Sequence, residues 1–446
     1  MRGLVQGAQS APDDDLRVYT DPPRLFLTSA RLRLLQRERD RKSLRWEQFD
    51  LLMNGGAKLT EPGFADALYY RVAGDAAAGR RAVEWALGDA TRDANRDTND
   101  DLRQLALVFD WCGPVMTPVQ ADRLGAKIER ALAAPIPRST AGGEITRDGP
   151  RVLAAIAIAD RFQDHGEAVL KPLLEEWRRI AKRLEAGEPA IARTEVNALF
   201  EMLHAIRDNL KIDLREDART YFGELPLDHL TSHYPASFQA PENEYRVPAF
   251  VRDGEPDLNE AALSRAAELA MVAFDSNEAG NQFLQGWLTQ DRFVMRGALG
   301  APYEFLWANP YQPGLSYAQA PLLFHDEVSG RLFARTSWDE DATWIGYFEG
   351  HLQLFRDGRI IVLRTGEVTD PVRVGDASIL SVAPQDPVKF HVDTAQTFVL
   401  GLARHATYDV EIDDEELREA QTDNGGTLVL ALPEGTDAGV RVRKRQ

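Results

Sequence analysis

The sequence predicts an α+β protein in which helices come first along the chain and strands follow. Up to about residue 325, apolar residues recur at the three- and four-residue spacing of one helix face. Beyond that point the spacing changes to two, the period of a half-buried strand, as in residues 408–412. Helices followed by strands are typical of segregated α+β folds and not of doubly wound parallel sheets. We therefore expect antiparallel strands over residues 331–443.

Caps and breakers divide the first part into separate helices. The predicted helices cover residues 29–53, 64–88 with a break at Gly74-Asp75, 102–112, 118–134, 149–163, 166–185, 193–211 and 258–275. At Thr117-Pro118, for example, a capping threonine is followed by proline at the first helical position.

Four short segments of the second part predict strands. Residues 408–412 and 440–443 alternate apolar and polar side chains, whereas residues 359–363 and 427–430 are apolar runs typical of buried strands. Asn424-Gly425-Gly426 is a turn signal just before the last of these runs.

Length and composition exclude several classes of protein. The 446 residues suggest two or three domains or one large one. The net charge of −18 opposes binding to a nucleic acid backbone. A lone cysteine, Cys112, excludes an intramolecular disulfide framework and a cysteine-based zinc cluster. No stretch approaches the roughly 20 apolar residues that a membrane span needs.

The absence of four common motifs excludes further classes of protein, and the N-terminal residues leave the location of the protein open. GxGxxG, GxxxxGK[ST], HExxH and GxSxG are all missing, so nucleotide-binding, zincin and serine hydrolase functions lose their usual signals. Residues 1–9 have no apolar signal-peptide core, yet residues 7–11 resemble the small-residue end of one. The alternative interpretation, that these residues are a simple N-terminal tail, is equally well supported.

Two segments, residues 221–256 and 276–325, predict long loops rich in proline, glycine, asparagine and aromatic residues. Long aromatic-rich loops in compact proteins are often functional. Aromatic faces stack on the C–H faces of sugar rings, and neighbouring polar groups bind hydroxyls, so we expect a polysaccharide or oligosaccharide partner. Trp307, Tyr303 and Tyr311 are the aromatic candidates for substrate binding. The alternative is that these aromatics pack the helical part onto the strand part.

Three stretches together resemble the heparinase II/III-like polysaccharide lyases and their alginate-lyase relatives. They are Pro23-Arg24-Leu25-Phe26-Leu27-Thr28, Tyr70-Arg71-Val72-Ala73-Gly74-Asp75 with Leu105-Ala106-Leu107-Val108-Phe109-Asp110-Trp111, and Gly330-Arg331-Leu332-Phe333-Ala334-Arg335-Thr336-Ser337-Trp338 continuing to Gly350. The resemblance implies an incomplete (α/α) toroid followed by an antiparallel β-sandwich-like domain, and a periplasmic or secreted location. The domain limits expected on this basis are 1–20 for a tail, 21–275 for the toroid, 276–330 for a connecting segment and 331–446 for the β domain.

The sequence departs from this family at two motifs. After the glycine that matches Gly350 the family has a His-Gly-His-x-Asp type motif, and here His351 is the one histidine retained. The Asn-His pair of the toroid has its nearest matches in Asn197 and His204, at a different spacing.

The resemblance implies β-elimination on a uronic-acid-containing glycan. Such a reaction needs a base and an acid, usually Tyr or His, and donors that neutralise the substrate carboxylate. Tyr234 is the first candidate for base and acid and Tyr245 the second, with His233 assisting and His351 contributed by the β domain. The candidates for binding the carboxylate and hydroxyls are Arg246, Arg207 and Asn243.

Other interpretations remain open at this point. A non-catalytic glycan-binding protein fits the missing histidines, and a glycoside hydrolase needs two carboxylates, for which Asp110, Asp101, Glu195 and Glu224 are conceivable. His229 and His233 have the i, i+4 spacing of a zinc pair, but Pro226 and Pro235 argue against a helix there. We therefore expect no cofactor. The alternative to a catalytic or zinc-binding role is that both histidines are loop residues bonded to backbone.

Overall fold

The computed structural model describes residues 16–88, 98–134, 143–161, 166–241, 244–251, 254–290, 295–364, 369–383, 387–414, 416–433, 435 and 437–445. Within this part of the chain the protein is α+β, which confirms the predicted class: helices run up to Trp307, and strands dominate from Leu323 onward. Asn243 and most of the predicted N-terminal tail lie outside the described residues. In the described ranges no helix is both long and apolar enough to cross a membrane.

The α-helices begin and end close to most of the predicted limits. They are α1 (Ser29–Asp40), α2 (Leu44–Asn54), α3 (Pro62–Ala73), α4 (Ala76–Leu87), α5 (Thr98–Trp111), α6 (Pro118–Ala133), α7 (Glu144–Ala157), α8 (Lys171–Glu185), α9 (Val196–Leu210), α10 (Arg219–Thr231), α11 (Leu258–Phe274), α12 (Ala279–Gln290) and α13 (Gly297–Trp307). At α6, Thr117 and Gln120 form the reciprocal capping box that a helix start at this position favours. The single helix expected over 29–53 is in fact two, because Lys42 has a positive φ of 49° and Ser43 caps α2.

Three helices lie where the sequence predicted long loops, so that prediction was wrong. They are α10, α12 and α13, and two of them contain an interior proline, Pro226 in α10 and Pro302 in α13. Proline weakens a helix interior by removing one hydrogen bond. Both prolines are buried, so packing of the surrounding apolar side chains outweighs that loss.

Within the described residues the strands form four sheets. The strands are β1 (Phe238–Gln239), β2 (Glu244–Tyr245), β3 (Leu323–Asp326), β4 (Arg331–Arg335), β5 (Trp344–Phe348), β6 (His351–Arg356), β7 (Arg359–Leu363), β8 (Val372–Val374), β9 (Ala377–Ser381), β10 (Val388–Val392), β11 (Gln396–Leu400), β12 (Thr407–Ile412), β13 (Glu416–Gln421), β14 (Leu428–Ala431) and β15 (Ala438–Lys444). The sheet orders are β1-β2, β3-β4-β5-β6-β7, β14-β11-β9-β8 and β10-β15-β12-β13.

Two details of the sheets differ from the prediction. The described strand pairs are antiparallel, as predicted, except that β11 runs parallel to β9. The intervening β10 belongs to another sheet, so the chain re-enters the sheet of β9 in the same direction. Residues 359–363 form a strand, but β7 is an exposed sheet edge and not a buried strand, because it pairs on one side with β6.

The chain divides into two compact units, Met1–Arg179 with Ala198–Leu214 and Ile180–Asn197 with Arg215–Gln446. In the first unit, Phe64 and Trp111 pack in the core with ring centroids 6.1 Å apart. Arg103 holds Glu201 there through two contacts of 2.6 Å, and both side chains are buried. The domain limits expected from the sequence, the toroid and the β-sandwich stay predictions.

In the second unit the three larger sheets share apolar cores. The β14-β11-β9-β8 sheet contributes Ile379 and Phe398 to a core with β4 and β5, and Leu380 and Val399 to a core with β12 and β15. A third cluster of buried residues joins the five-stranded sheet to the segment after α10 and to α11. Its members are Tyr234, Val247, Ala261, Phe324, Phe333, Trp344, Phe348 and Phe355. This aromatic cluster fixes α10 against the edge of the five-stranded sheet.

Candidate functional site

A cavity of about 320 Å³ lies within the second unit, between α10 and the ends of strands β3 to β5. We call it the α10 pocket. It is lined by Leu184, Gly187, Glu188, Pro189, Ile191, Arg193, Thr220, Tyr221, Glu224, Leu225, Asp228, Phe324, Asp326, Val328, Ser329, Gly330, Arg331, Tyr347, Glu349, Gly350, Arg404, Asn424 and Gly425. Small-molecule sites in proteins start at about this size.

One face of α10 supplies the helical wall of the pocket. Tyr221, Glu224 and Asp228 are spaced three and four residues apart, so their side chains project from the same side of the helix. Asp228 is 6% exposed, and its Oδ2 lies 3.4 Å from a guanidinium nitrogen of Arg331. Its Oδ1 has no hydrogen-bond partner among the described residues.

Turns and strand ends supply the opposite wall. The Asn424-Gly425-Gly426 turn, which the sequence predicts, is held by Asn424, whose side-chain nitrogen donates to the carbonyl of Val328 at 2.8 Å. At Gly330 φ is 71° and an added Cβ would lie 2.0 Å from the Gly425 nitrogen, so the position requires glycine. Tyr347 donates its hydroxyl to the Gly425 carbonyl at 2.7 Å.

The pKa values of three groups in the lining, Glu224, Tyr221 and Tyr347, are raised. Partial burial raises the pKa of Glu224, and the nearby carboxylates of Asp326 and Asp228 raise it further. Burial raises the pKa of Tyr221 and that of Tyr347, although the positive charge of Arg404 opposes the rise at Tyr347. These groups therefore keep their protons more firmly than they would in water.

Behind the pocket lies a buried group of charged and titratable side chains, which we call the Glu268 cluster: Arg193, His229, His233, Ser264 and Glu268. Oε1 of Glu268 lies 3.1 Å from Arg193 Nη2, 3.1 Å from Ser264 Oγ, 3.4 Å from His229 Nδ1 and 3.3 Å from His233 Nε2. Burial raises the pKa of Glu268 to about 7, against the influence of Arg193. Burial and then the charge of Arg193 lower the pKa of both histidines well below the usual value.

His229 lies inside α10, so the expectation that Pro226 excludes a helix at this histidine was wrong. His233 follows the end of the helix, and its Nδ1 lies 2.7 Å from the His229 carbonyl, as expected for a histidine bonded to backbone; its ring centroid lies 4.7 Å from that of Trp287.

Tyr234, the first catalytic candidate from the sequence, is buried in the aromatic cluster. Its hydroxyl donates to Gln353 Oε1 at 2.7 Å and lies 3.3 Å from the donating N–H of Phe250. Its ring lies 5.2 Å from that of Trp344, and burial raises its pKa to about 12. The phenol is thus satisfied by protein groups on both sides, and its catalytic role stays a prediction.

Three other candidates from the sequence surround a small second cavity of about 20 Å³, the size of a single water molecule. They are His233, Tyr245 and Arg246, and Glu268 also lines this cavity. Arg246 donates to the carbonyl of Pro235 at 2.9 Å and lies 3.4 Å from Glu340. The structure therefore brings these residues together, but around a space too small for a sugar.

The remaining candidates are dispersed. Tyr303 and Trp307 are buried on α13, whereas Tyr311 is exposed. Arg207 belongs to the first unit and lies 3.3 Å from Asp208. His351 is exposed at the start of β6, directly after Gly350 of the α10 pocket, and Asn243 lies outside the described residues. The catalytic and binding roles of all these residues stay predictions.

Sequence reasoning missed most of the α10 pocket. Tyr221, Asp228, Tyr347 and Arg404 were not selected as site residues, although Glu224 was named as a conceivable acid. The spacing of Tyr221, Glu224 and Asp228 is a usable signal once residues 219–231 are recognised as a helix. The described residues contain no group of three or more histidine, cysteine, aspartate or glutamate side chains arranged to hold a metal ion. This observation does not test the prediction that the protein has no cofactor.

Comparison with known proteins gives remote similarities. No protein-family model matches the chain, and no curated protein matches it in sequence. Among solved structures, the chain is similar to the heparan sulfate lyase HepC from Pedobacter heparinus, with 12% identity, 86% of this chain and 75% of that chain covered, and a TM-score of 0.38. It is also similar to a glycoside hydrolase, with 8% identity, 93% and 75% covered, and a TM-score of 0.31.

Proposed function

We propose that this protein acts on a glycan and that one sugar residue of that glycan binds in the α10 pocket. The observation that carries the proposal is the composition of the pocket lining. Tyr221, Leu225 and Phe324 provide apolar faces for the C–H side of a sugar ring, beside carboxylates and guanidinium groups that bind hydroxyls. A few polar groups in a mostly apolar cavity are typical of small-molecule sites.

The reaction that we propose is β-elimination, the reaction implied by the sequence resemblance. Arg331 and Arg404 line the pocket, and a guanidinium fork matches a uronate carboxylate. Neutralising that carboxylate stabilises the enolate-like state formed when the C5 proton leaves. Tyr347 is the candidate base, because the positive charge of Arg404 opposes the rise in its pKa that burial causes. Tyr221, whose raised pKa keeps it protonated, is the candidate acid for the leaving oxygen.

The charge of the pocket limits the substrate. Its lining contains five carboxylates, from Glu188, Glu224, Asp228, Asp326 and Glu349, and three guanidinium groups. An excess of negative charge opposes a densely anionic polymer. The proposed substrate is therefore a glycan with few uronate charges.

Glycoside hydrolysis is the second candidate, and one observation favours it. Glu224 and Asp228 lie four residues apart on α10 in different surroundings: partial burial and then neighbouring acids raise the pKa of Glu224, whereas Asp228 contacts Arg331. A protonated acid beside an ionised carboxylate is the combination that glycosidases use.

The products distinguish the two reactions. The protein is incubated with alginate, heparan, hyaluronan, pectic polymers and neutral oligosaccharides, and both new reducing ends and the ultraviolet absorbance of unsaturated uronate are measured. Elimination produces both signals, and Tyr347→Phe should lower the rate on the order of 100-fold or more. Hydrolysis produces reducing ends alone, and Glu224→Gln should then be the damaging change.

Tyr408→Phe is the matched control, because Tyr408 is a buried tyrosine of β12 whose hydroxyl accepts from the Ala403 N–H at 3.0 Å, and it does not line the pocket. If Tyr347→Phe and Tyr408→Phe lose activity equally, the loss results from reduced stability and not from a missing catalytic group. Binding without either signal would favour the non-catalytic glycan-binding alternative, and no binding at all would contradict the proposal.

A further inference from the structure

We propose that strand β7 pairs with β7 of a second copy of this chain, so that the five-stranded sheets of two molecules join into one antiparallel sheet. The pairing is centred on Ile361, which lies opposite Ile361 of the second copy. The resulting dimer has twofold symmetry, and it goes beyond the proposed glycan site because no residue of that site takes part.

The strand β7 is the last strand of its sheet, and both of its faces are open. Among the described strands it pairs with β6 alone. Ile360, Ile361 and Val362 are 40%, 43% and 65% exposed, although successive side chains of a strand point to opposite faces. On β6, by contrast, Phe355 is buried on one face and Leu352 on the other. The layers that cover the sheet therefore stop at β6, and the outer edge of β7 is accessible to a further strand.

The hairpin turn between β6 and β7 determines which backbone groups point outward. Residues 357–358 form a two-residue loop with φ values of 51° and 72°, the pattern of a type I′ turn. The two residues that flank such a turn are hydrogen-bonded to each other, and hydrogen-bonded pairs alternate along an antiparallel ladder. Ile361 therefore bonds to β6, whereas the N–H and C=O groups of Ile360 and Val362 point away from it.

These outward groups favour a second copy of β7 as the partner, because they are symmetric about Ile361. In an antiparallel pair centred there, Ile360 lies opposite Val362 of the second copy, and four backbone hydrogen bonds form. The same register places an apolar side chain opposite each of the three exposed apolar side chains. A shift of two residues in either direction would instead place Arg359 or Arg364 opposite an isoleucine.

Other sheet edges carry a charge inside the strand, which opposes pairing with a further chain. Examples are Arg373 in β8, Lys389 in β10 and Arg418 in β13. In β7 the charged residue is Arg359, at the first position, and the centre of the strand is apolar. Pairing uses the outer edge of β7 in both copies, so the association closes at two chains and does not continue into a fibre.

Sedimentation velocity of the full chain measures the association, over concentrations of about 1 to 200 µM. A contact between two short strands is smaller than a standard interface of about 800 Å² per partner, so the dimer should form reversibly as concentration rises. Ile361→Lys places two ammonium groups opposite each other at the twofold axis and should weaken dimerisation at least about tenfold. Leu417→Lys, at an exposed position of the edge strand β13, is the matched control and should not change it.

Cysteine variants test the register and do not depend on the folding of the lysine variant. In the proposed pairing the Cα atoms of residue 361 in the two copies are about 4.5 Å apart, within the range of a disulfide. Those of residue 360 are about 8 Å apart, which is too far. The natural Cys112 is buried. Ile361→Cys should therefore give a disulfide-linked dimer on mild oxidation, and Ile360→Cys should not.

Three results would overturn the proposal. The first is a wild-type chain that stays monomeric over the whole concentration range. The second is a dimer of equal affinity in the wild type, Ile361→Lys and Leu417→Lys, because the contact then lies elsewhere. The third is no disulfide at residue 361, or equal disulfide formation at residues 360 and 361, because the pairing is then not centred on Ile361. None of these measurements uses a saccharide, so they leave the proposed glycan function to its own test.

Discussion

We predict that Glu268 holds a proton near neutral pH, an expectation that follows from its contacts in the Glu268 cluster. The His229 carbonyl accepts hydrogen bonds only, so Nδ1 of His233, 2.7 Å away, carries a hydrogen. A neutral His233 ring then presents a bare Nε2 to the Glu268 oxygen at 3.3 Å. Two lone pairs at this distance repel each other, which favours a proton on the Glu268 carboxyl. Burial raises the pKa of Glu268 to about 7 and lowers that of His233, and both shifts favour the proton on Glu268.

The replacement Glu268→Gln tests this assignment, because glutamine is the neutral isostere of a protonated glutamate. Its carbonyl oxygen can take the place of Glu268 Oε1 and accept from Arg193 and Ser264. We expect a cost below about 1 kcal/mol at pH 5, the scale of one altered hydrogen bond. An ionised Glu268 would instead leave the buried Arg193 charge without its partner on replacement, a loss of about 3 to 5 kcal/mol.

The pH dependence gives the sharper measurement. A carboxyl whose pKa rises from about 4.3 in the unfolded chain to about 7 in the folded one loses its proton first in the unfolded state. Wild-type stability should therefore fall by about 3 kcal/mol, at 1.36 kcal/mol per pKa unit, between pH 4.3 and pH 7, and the glutamine variant should lack this loss. The two histidines, with lowered pKa values, destabilise the fold below about pH 6.5. Both proteins retain these histidines, so the difference between them reports residue 268 together with its contacts to His229 and His233.

Urea unfolding of both proteins at pH 5, 6, 7 and 8 measures this difference. The free energy of unfolding of the variant, relative to that of the wild type, should rise as pH increases from 5 to 7. Above pH 7 this difference should stay constant. If this difference does not change with pH, or changes in favour of the wild type, the hypothesis that Glu268 is protonated is refuted. Glu201→Gln is the control, because Glu201 is equally buried but held in a two-contact pair with Arg103, and its loss should cost about 3 to 5 kcal/mol at neutral pH.

Three further replacements test individual contacts. Tyr234→Phe leaves Gln353 Oε1 without its 2.7 Å donor and should cost about 1 to 3 kcal/mol in urea unfolding; a 100-fold loss of activity in the folded variant would restore Tyr234 as a catalytic residue. Asp110→Ala removes the buried carboxylate that accepts from the N–H groups of residues 24–25 at 2.9 to 3.0 Å, and should cost about 2 to 4 kcal/mol; a Tm within 2 °C of wild type would contradict it. His351→Ala, at an exposed position outside the lining of the α10 pocket, should leave Tm nearly unchanged; the histidine role implied by the sequence resemblance predicts a loss of unsaturated products on the order of 100-fold, whereas full activity would leave Tyr347 and Tyr221 as the reacting groups.

The sequence predicted the order of helices and strands because each follows from a local pattern. The break at Gly74-Asp75, the capped start of α6 and the alternation in β12 are all confirmed. The exposure of β7 could not be predicted from its own residues, because an apolar run looks the same at a sheet edge and at its centre. The parallel β9–β11 pair likewise depends on which sheet β10 joins, and this is decided by packing between distant segments.

The site was harder to predict than the fold because its residues were judged by their neighbours in sequence. Proline and glycine between residues 221 and 235 indicated a loop, so His233 and Tyr234 were expected to be accessible. In the structure α10 continues through Pro226, its end is buried under the aromatic cluster, and both side chains are enclosed.

The same helix explains why the pocket and the Glu268 cluster occur together. Along α10, Tyr221, Glu224 and Asp228 face the pocket, whereas His229 is placed one residue further, about 100° around the helix, and meets Glu268. Arg193 touches both sides, since it lines the pocket and contacts Glu268 at 3.1 Å. A change in the protonation of Glu268 therefore acts on a guanidinium at the wall of the pocket. Ligand affinity that depends on pH around 7 in the wild type, and does not in Glu268→Gln, would link the two groups through Arg193.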